Sequence, residues 1–225
     1  MDAVEARYIF LREKQKAIRE GFSDELGLRV HRALSWVGRA EEAVDQDDLD
    51  GAFIFYWIAF NAAYAGELPE DADVSLSERE LLRDYFSALL LADSNRRIYG
   101  AIWQKFSGPI RVLLDNPYVF SPFWKSQRSA DKNSWKPRFD LAANRARTAI
   151  EKGDAQIVLE IVFDRLYVLR NQLVHGGSTC RSSVNRDQVG DGVRILGWLV
   201  PVFIDLMMDN AGEDWGRPYY PVVTA

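Results

Sequence analysis

Cysteine and histidine are nearly absent from this sequence. Its 225 residues include one cysteine, Cys180, and two histidines, His31 and His175. A single cysteine excludes an intrachain disulfide and a zinc site made of several cysteines, and it is typical of a reducing cytoplasm. Because two isolated histidines do not form a ligand set, we expect neither a metal ion nor another cofactor. Cys180 has no adjacent histidine, so we interpret it as a bystander.

Long apolar runs are missing as well. The two uncharged runs, Gly51 to Gly66 and Ile195 to Ile204, are shorter than the ~20 residues that span a bilayer. The start of the chain is charged and lacks the apolar core of a signal peptide. We therefore expect a cytoplasmic protein that is not bound to a membrane. The formal net charge of −5 argues against coating nucleic acid by bulk attraction, but it allows a local basic surface.

No alternating pattern typical of strands persists, and helical spacing dominates the chain. The predicted helices cover about residues 4–20, 24–46, 50–65, 75–93, 95–114, 139–151, 154–177 and 193–210. Gly108 and Pro109 should break or kink the fifth of these. We predict an all-α fold, a single domain over residues 1–225 built as one helical bundle. Loops are expected at 66–74 and 177–192, an inserted irregular segment at about 116–137, and an extended tail at about 212–225.

The third predicted helix is apolar nearly all round, which indicates a position in the middle of the bundle. Asp48 or Asp50 can cap its start. Asn61 is its one strongly polar side chain, and a buried amide needs hydrogen-bond partners. Asn61 could have a structural role, in which its amide bonds to neighbouring backbone groups. Alternatively, it could support Arg170 or His175 of a functional site without contacting the substrate.

The helix predicted at 154–177 carries unusual residues in its final turns. Asp154 is a suitable N-cap, and Gly176 and Gly177 end the helix. Just before this end lie Arg170, Asn171 and His175 in the stretch RNQLVH. A cation, an amide and an imidazole at the end of an apolar helix are candidate functional groups.

The stretch RNQLVH, 170–175, resembles the signature of the HEPN superfamily, an Arg and a His near the end of a long helix. The stretch FIFYWIAFNAAY, 53–64, resembles the aromatic helix of the Apea-like branch of that superfamily. The resemblance implies a HEPN-like bundle that dimerises, with motifs from both subunits meeting in one cleft. It makes Arg170 and His175 the catalytic pair and Asn171 the polar position after the arginine.

The resemblance also implies a function. Many relatives are metal-independent endoribonucleases in defence or toxin systems, whereas others are non-catalytic RNA-binding or assembly modules. We therefore expect a ribonuclease that cleaves single-stranded RNA, with RNA, a second copy and an antitoxin or sensor protein as partners. The alternatives are a non-catalytic module that binds RNA or protein, and a helical scaffold in which the motif is only structural.

The residue types suit this chemistry on general grounds. RNA supplies its own nucleophile, the 2′-hydroxyl, so cleavage needs a base, an acid and positive charge on the phosphorane. A histidine titrates near pH 6.5 and can act as base or acid, and an arginine forks onto two phosphate oxygens. One histidine and one arginine per subunit are too few for all three roles. A two-fold axis between two copies of the chain would supply two of each.

Helix geometry complicates the pairing of Arg170 with His175. A five-residue step turns about 140° around a helix, whereas Asn171 and His175 share a face. Arg170 must therefore reach around, or the helix must loosen before Gly176. In the alternative interpretation, Arg170 pairs with an acidic neighbour such as Asp164 or Glu160, and His175 caps the helix end.

A basic and aromatic segment, 123–147, carries seven Lys and Arg residues against two Asp residues, with Phe and Trp interleaved. Bases can stack on aromatic rings while basic side chains hold the backbone. The candidate RNA-contact residues are Lys125, Arg128, Lys132, Trp135, Lys136, Arg138, Arg145 and Arg147, with Arg181 just past the motif. The alternative is a solvated loop that aromatic anchors hold in place.

Overall fold

Ten α-helices make up most of the computed structural model, which describes residues 7–67, 74–183 and 185–222. The helices are α1 Arg7–Ile18, α2 Asp24–Asp45, α3 Leu49–Tyr64, α4 Val74–Ala92, α5 Arg97–Gly100, α6 Ser107–Asp115, α7 Ser121–Gln127, α8 Lys136–Lys152, α9 Ala155–Val174 and α10 Arg186–Asp209. Within the described ranges there is no strand, only an isolated antiparallel bridge between Gly66 and Pro218. The predicted all-α class is confirmed. None of the helices described is long and apolar enough to cross a lipid bilayer.

The chain divides into two compact units. The first comprises Met1–Arg97 and Val193–Ala225, and the second comprises Ile98–Gly192. The prediction of a single domain over residues 1–225 stays a prediction. Most of the loop predicted at 66–74 lies outside the described residues.

Helix α3 lies in the interior of the first unit, as its apolar sequence predicts. Phe53 and Phe60 are fully buried. The ring of Phe60 lies 6.2 Å from that of Phe86 on α4 and 6.4 Å from that of Phe203 on α10. Aromatic pairs at this separation add to the stabilisation from burial alone. The aromatic stretch of the sequence therefore forms the centre of this unit.

The start of α3 depends on a close contact between two residues. Asp48 is the N-cap, and its Oδ1 accepts a hydrogen bond from the backbone N–H of Gly51 at 3.0 Å. A Cβ atom at Gly51 would lie 2.2 Å from Asp48 Oδ2. Of the two capping residues that the sequence offered, Asp48 is the one used, and Gly51 leaves room for its carboxylate.

A buried arginine joins three parts of the first unit. Arg29 on α2 is 1% exposed, and its guanidinium donates to the carbonyl oxygens of Ala63, Ala65, Gly216 and Arg217 at 2.8–3.1 Å. Burial lowers the pKa of Arg29, and the four carbonyls compensate the loss of water. The side chain thereby connects the end of α3 to the chain after α10. The tail predicted to be extended contains no helix in its described part.

A charged cluster in the first unit centres on Asp205 of α10. One carboxylate oxygen accepts from Lys14 Nζ of α1 and the other from Arg97 Nη1 of α5, each at 2.5 Å. Lys14 also contacts Asp209 at 2.6 Å. Burial raises the pKa of Asp205, but the hydrogen bonds and positive charges of Lys14 and Arg97 outweigh it, so the pKa is lowered overall. The cluster ties together three helices that are distant in the sequence.

In the second unit, α9 packs against α6, α8 and a 3-10 turn, Pro117–Val119. The buried face of α9 consists of Val158, Leu159, Val162, Phe163, Arg165, Leu166, Val168 and Leu169. The irregular segment predicted at 116–137 contains this turn, the short helix α7 and a series of turns. The predicted helix break at Gly108 and Pro109 is found two residues earlier, at Phe106. This residue separates a π-helical turn, Ala101–Lys105, from α6, which begins at Ser107.

Two predicted boundaries of the second unit are wrong. The sequence predicts a loop at 177–192, but α10 begins at Arg186, because Val189 and Gly192 are buried while Asp187 in its first turn is exposed. Helix α8 begins at Lys136 rather than Phe139, since Pro137 lies in its first turn. A proline is tolerated there because the first turn needs no N–H donor.

Candidate functional site

Helix α9 keeps its regular geometry up to the motif residue His175. At its start, Asp154 Oδ1 accepts from the N–H of Ile157 at 3.1 Å, which confirms the predicted N-cap. At its end, the N–H of His175 donates to the carbonyl of Asn171 at 3.0 Å. The chain then turns at Gly176, which has a φ of +68°. The helix is therefore regular from Arg170 through Val174, and His175 is its C-cap, where the backbone leaves the helical conformation (φ −94°, ψ 14°).

Arg170 instead reaches around the helix. Its Nη1 donates to Asn171 Oδ1 at 2.9 Å, and its Cζ lies 5.1 Å from the centroid of the Tyr167 ring. Tyr167, Asn171 and His175 are spaced by four residues, so they form one ridge along α9. We call these three residues the α9 ridge. The guanidinium is therefore directed toward the ridge that carries the imidazole.

The motif is accessible to solvent. His175 is exposed, and Arg170 and Asn171 are half-buried. Two large apolar side chains flank them, Tyr167 at 45% and Val174 at 54% exposure. Such an open helix face can receive a large ligand or a second protein surface.

Gln172 anchors the end of α9. Its Nε2 donates to the carbonyl of Tyr118 at 2.6 Å, and its Oε1 accepts from Asn185 Nδ2 at 3.0 Å. Its own carbonyl accepts from the N–H of Gly177 at 2.6 Å. Sequence reasoning gave Gln172 no role, because its partners are distant in the chain and no local pattern marks them.

We expect Gln172→Leu to lower the free energy of unfolding by about 1 kcal/mol, since two side-chain hydrogen bonds are lost. Amide hydrogen exchange at Gly176 and Gly177 should also become faster, because the helix end loses its anchors. Gln127→Leu is the control, as Gln127 is exposed and makes one long side-chain bond of 3.5 Å. If both variants behave alike in urea unfolding and in exchange, Gln172 does not anchor the helix end.

The candidate RNA-contact residues of the second unit do not form one continuous strip. All eight cations, Lys125, Arg128, Lys132, Lys136, Arg138, Arg145, Arg147 and Arg181, are exposed. On α8, however, Arg138 and Arg145 lie on one side, whereas Lys136 and Arg147 lie on nearly the opposite side, at about 100° per residue. Arg145 also contacts Glu160 on α9 at 3.7 Å. Their role in RNA binding stays a prediction.

The aromatic residues of the segment pack against one another. Half-buried Trp135 makes edge contacts with Phe123 and Phe139, with ring centroids 5.1 and 5.6 Å apart. Trp124 contacts Phe123 at 5.1 Å and donates its Nε1–H to the carbonyl of Tyr118 at 2.7 Å. These contacts fit the alternative in which the aromatic residues anchor the segment. Only part of the Trp135 ring therefore reaches solvent.

A second buried arginine supports this cluster. Arg165 of α9 is 1% exposed, and its guanidinium lies 4.4 Å from the Phe120 ring and 5.7 Å from the Phe139 ring. Within the described part of the chain, its Nε and Nη1 have no hydrogen-bond partner. Burial lowers the pKa of Arg165, and the two rings provide a cation–π contact in place of water. The sequence pattern alone does not reveal this residue. Arginines are mostly exposed in folded proteins, so the pattern predicts a surface position for Arg165.

Asn61, the predicted supporting residue, belongs to the first unit, whereas the motif belongs to the second. It is half-buried, and its backbone carbonyl accepts from Ala65 at 2.8 Å. Both roles considered for its amide stay predictions. Over the residues that the structure describes, no three His, Cys, Asp or Glu side chains group together as a metal site.

Comparison with family models, with curated proteins and with solved structures finds no match for the chain. The α9 ridge and the chemistry of its residues are therefore the basis for assigning a function.

Proposed function

We propose that the chain is a HEPN-type, metal-independent endoribonuclease that cleaves single-stranded RNA. The observation that carries this proposal is the position of the Arg170 guanidinium, 2.9 Å from the Asn171 amide oxygen on the ridge that ends at exposed His175. A fixed cation and an imidazole thus share one open face of α9. Asn171 holds the guanidinium in this orientation.

The reaction uses groups that these residues can supply. The 2′-oxygen attacks the adjacent phosphorus, and the bond from phosphorus to the 5′-oxygen breaks. The products are a 2′,3′-cyclic phosphate and a free 5′-hydroxyl. His175 takes the proton of the 2′-hydroxyl or gives one to the 5′-oxygen, and Arg170 stabilises the charge on the phosphorane oxygens.

A complete site requires two copies of the chain. One copy offers one imidazole at this site, whereas cleavage needs both a base and an acid. A two-fold axis beside the α9 ridge would bring in the second imidazole and guanidinium, and the exposed side chain of Val174 provides apolar surface near it. The proposed setting is a cytoplasmic defence or toxin-like system, with RNA, a second copy and an antitoxin or sensor protein as partners.

The second candidate function is a non-catalytic module that binds RNA or a protein partner with the same face. One observation favours it. The guanidinium of Arg170 is already engaged by Asn171 and by the Tyr167 ring, so its charge is less available to stabilise a phosphorane, although the exposed face can still bind a ligand. This candidate predicts binding without cleavage.

The deciding measurement is cleavage of end-labelled single-stranded RNA by the purified chain in the presence of EDTA. We expect products that end in a 2′,3′-cyclic phosphate, because the attacking group belongs to the RNA itself. The matched substrate with one 2′-deoxy nucleotide should resist cleavage at that position. If binding occurs and the RNA stays intact at protein concentrations where the chain is oligomeric, the ribonuclease proposal is wrong and the second candidate replaces it.

A further inference from the structure

Tyr167 is the residue of the α9 ridge that the proposed chemistry does not use. It lies one turn before Arg170 and Asn171, and 45% of its surface is exposed. The neighbouring residues Leu166 and Val168 are buried, so packing of the helix does not require an aromatic ring at this position. A large ring is nevertheless presented to solvent beside the motif.

The Tyr167 ring is held in place by the cation next to it. The Cζ of Arg170 lies 5.1 Å from the ring centroid, within the range of a cation–π contact. A planar guanidinium packed against a ring also restricts the rotation of both side chains. The ridge therefore presents an aromatic ring with a cation over one of its faces, so a ligand would stack on the opposite face of the ring.

This pair matches the two chemical parts of a nucleotide. Flat bases stack on aromatic side chains, and an adjacent phosphate is bound by a guanidinium. Each four-residue step along the ridge rises about 6 Å, so Tyr167 and His175 are displaced from each other along the helix axis. A base on Tyr167 would leave the imidazole free to act on a neighbouring sugar and phosphate.

We infer that Tyr167 is a base-stacking subsite, which holds one unpaired base of the RNA while Arg170 contacts the adjoining phosphate. The inference rests on the proposed function, because it names how that site would hold its substrate. The subsite requires an unpaired base and tolerates all four bases, since each has a flat face. It therefore selects single-stranded RNA over a duplex, with little preference for sequence.

The test measures binding to a probe that cannot be cut, a fluorescein-labelled 12-nucleotide RNA in which every 2′-hydroxyl is methylated. We expect Tyr167→Leu to raise the dissociation constant on the order of tenfold, while Tyr167→Trp and Tyr167→Phe keep an affinity close to that of the wild-type chain. Tyr220→Leu is the control, because Tyr220 is an exposed tyrosine in the first unit, at 73%. A probe that lacks the base contacted by Tyr167 should bind the wild-type chain less tightly than the complete probe. The Tyr167→Leu variant should bind the two probes with equal affinity.

Several results would overturn the inference. Equal affinities of Tyr167→Leu and Tyr167→Phe would exclude stacking, and so would a wild-type chain that does not bind the probe. A loss of affinity that accompanies loss of the oligomer in sedimentation would place Tyr167 at a protein interface instead. Because the probe resists cleavage, binding and cleavage are tested separately. If binding depends on Tyr167 but the chain cuts no RNA, only the ribonuclease proposal is wrong. If the chain cuts RNA but binding does not depend on Tyr167, only the subsite is wrong.

Discussion

His175→Ala should reduce the rate of RNA cleavage by on the order of 10²–10⁴-fold, the contribution typical of a positioned general acid or base. The fold should be unaffected, because His175 is exposed and its helix contact is a backbone bond from its N–H to the Asn171 carbonyl. Alanine keeps that bond. The free energy of unfolding should therefore change by less than about 0.5 kcal/mol.

His31→Ala is the matched control for this variant. His31 is the other histidine of the chain, is exposed, and lies on α2 in the first unit. Its removal should leave the cleavage rate unchanged. The measurement is single-turnover cleavage of labelled RNA in EDTA, with urea unfolding and sedimentation for each variant. Cleavage by His175→Ala at the wild-type rate would show that the imidazole has no part in the reaction.

Asp205→Asn should destabilise the first unit by about 3 kcal/mol at pH 7. The carboxylate is mostly buried, with 12% of its side chain exposed, and it accepts from both Lys14 and Arg97. Removing one partner of a buried ion pair leaves the remaining charge poorly compensated. We place the effect at the lower end of the usual range because Lys14 keeps its contact with Asp209.

The effect of Asp205→Asn should depend on pH in a defined direction. The pKa of Asp205 is lowered in the folded chain, so the unfolded chain takes up the proton first as acid is added. The stabilisation is complete above about pH 4, the ordinary value for aspartate, and is lost as the pH falls through the lower pKa of the folded chain. The difference between wild type and variant should therefore shrink in this acidic range.

Asp209→Asn provides the comparison, because Asp209 binds the same lysine from an exposed position, with 49% of its side chain accessible. Its loss should cost less than about 1 kcal/mol. Urea unfolding of the three proteins between pH 7 and pH 3 measures all of these differences. Equal effects of the two substitutions at pH 7, or a gap for Asp205→Asn that persists unchanged into acid, would contradict the role given to this cluster.

Local capping chemistry made several helices predictable from the sequence. Asp48 and Asp154 each bond to a backbone N–H three residues ahead, and Gly176 takes the left-handed conformation after α9. These features depend on neighbours in the chain, so the residues that form them can be recognised without the fold. The apolar α3 was placed in the interior for a similar reason, since it has almost no polar face to expose.

The missed features depend on contacts between distant residues. The start of α10 resembles a loop because it combines glycines with polar residues, and only its packing shows that Val189 is buried. Gln172 acquires its role from Tyr118, which is 54 residues away. Arg165 is buried because Phe120 and Phe139 meet over it. Periodicity within one helix cannot reveal any of these three arrangements.

The candidate site was predictable in part. Spacing showed that Asn171 and His175 share a face, and that Arg170 would have to bend toward them. The structure adds the bond to Asn171 and the contact with Tyr167 that hold the bent side chain. Tyr167 could have been noticed from its position four residues before Asn171, but its partial exposure is a property of the folded chain.

The carbonyl oxygen of Tyr118 connects the aromatic segment to the motif helix. It accepts one bond from Trp124 of α7 and another from Gln172 of α9. A displacement of α7 would therefore strain the bond that anchors the end of α9, only three residues before His175. The positions of α7 and of the end of α9 are thus mechanically coupled through a single shared acceptor.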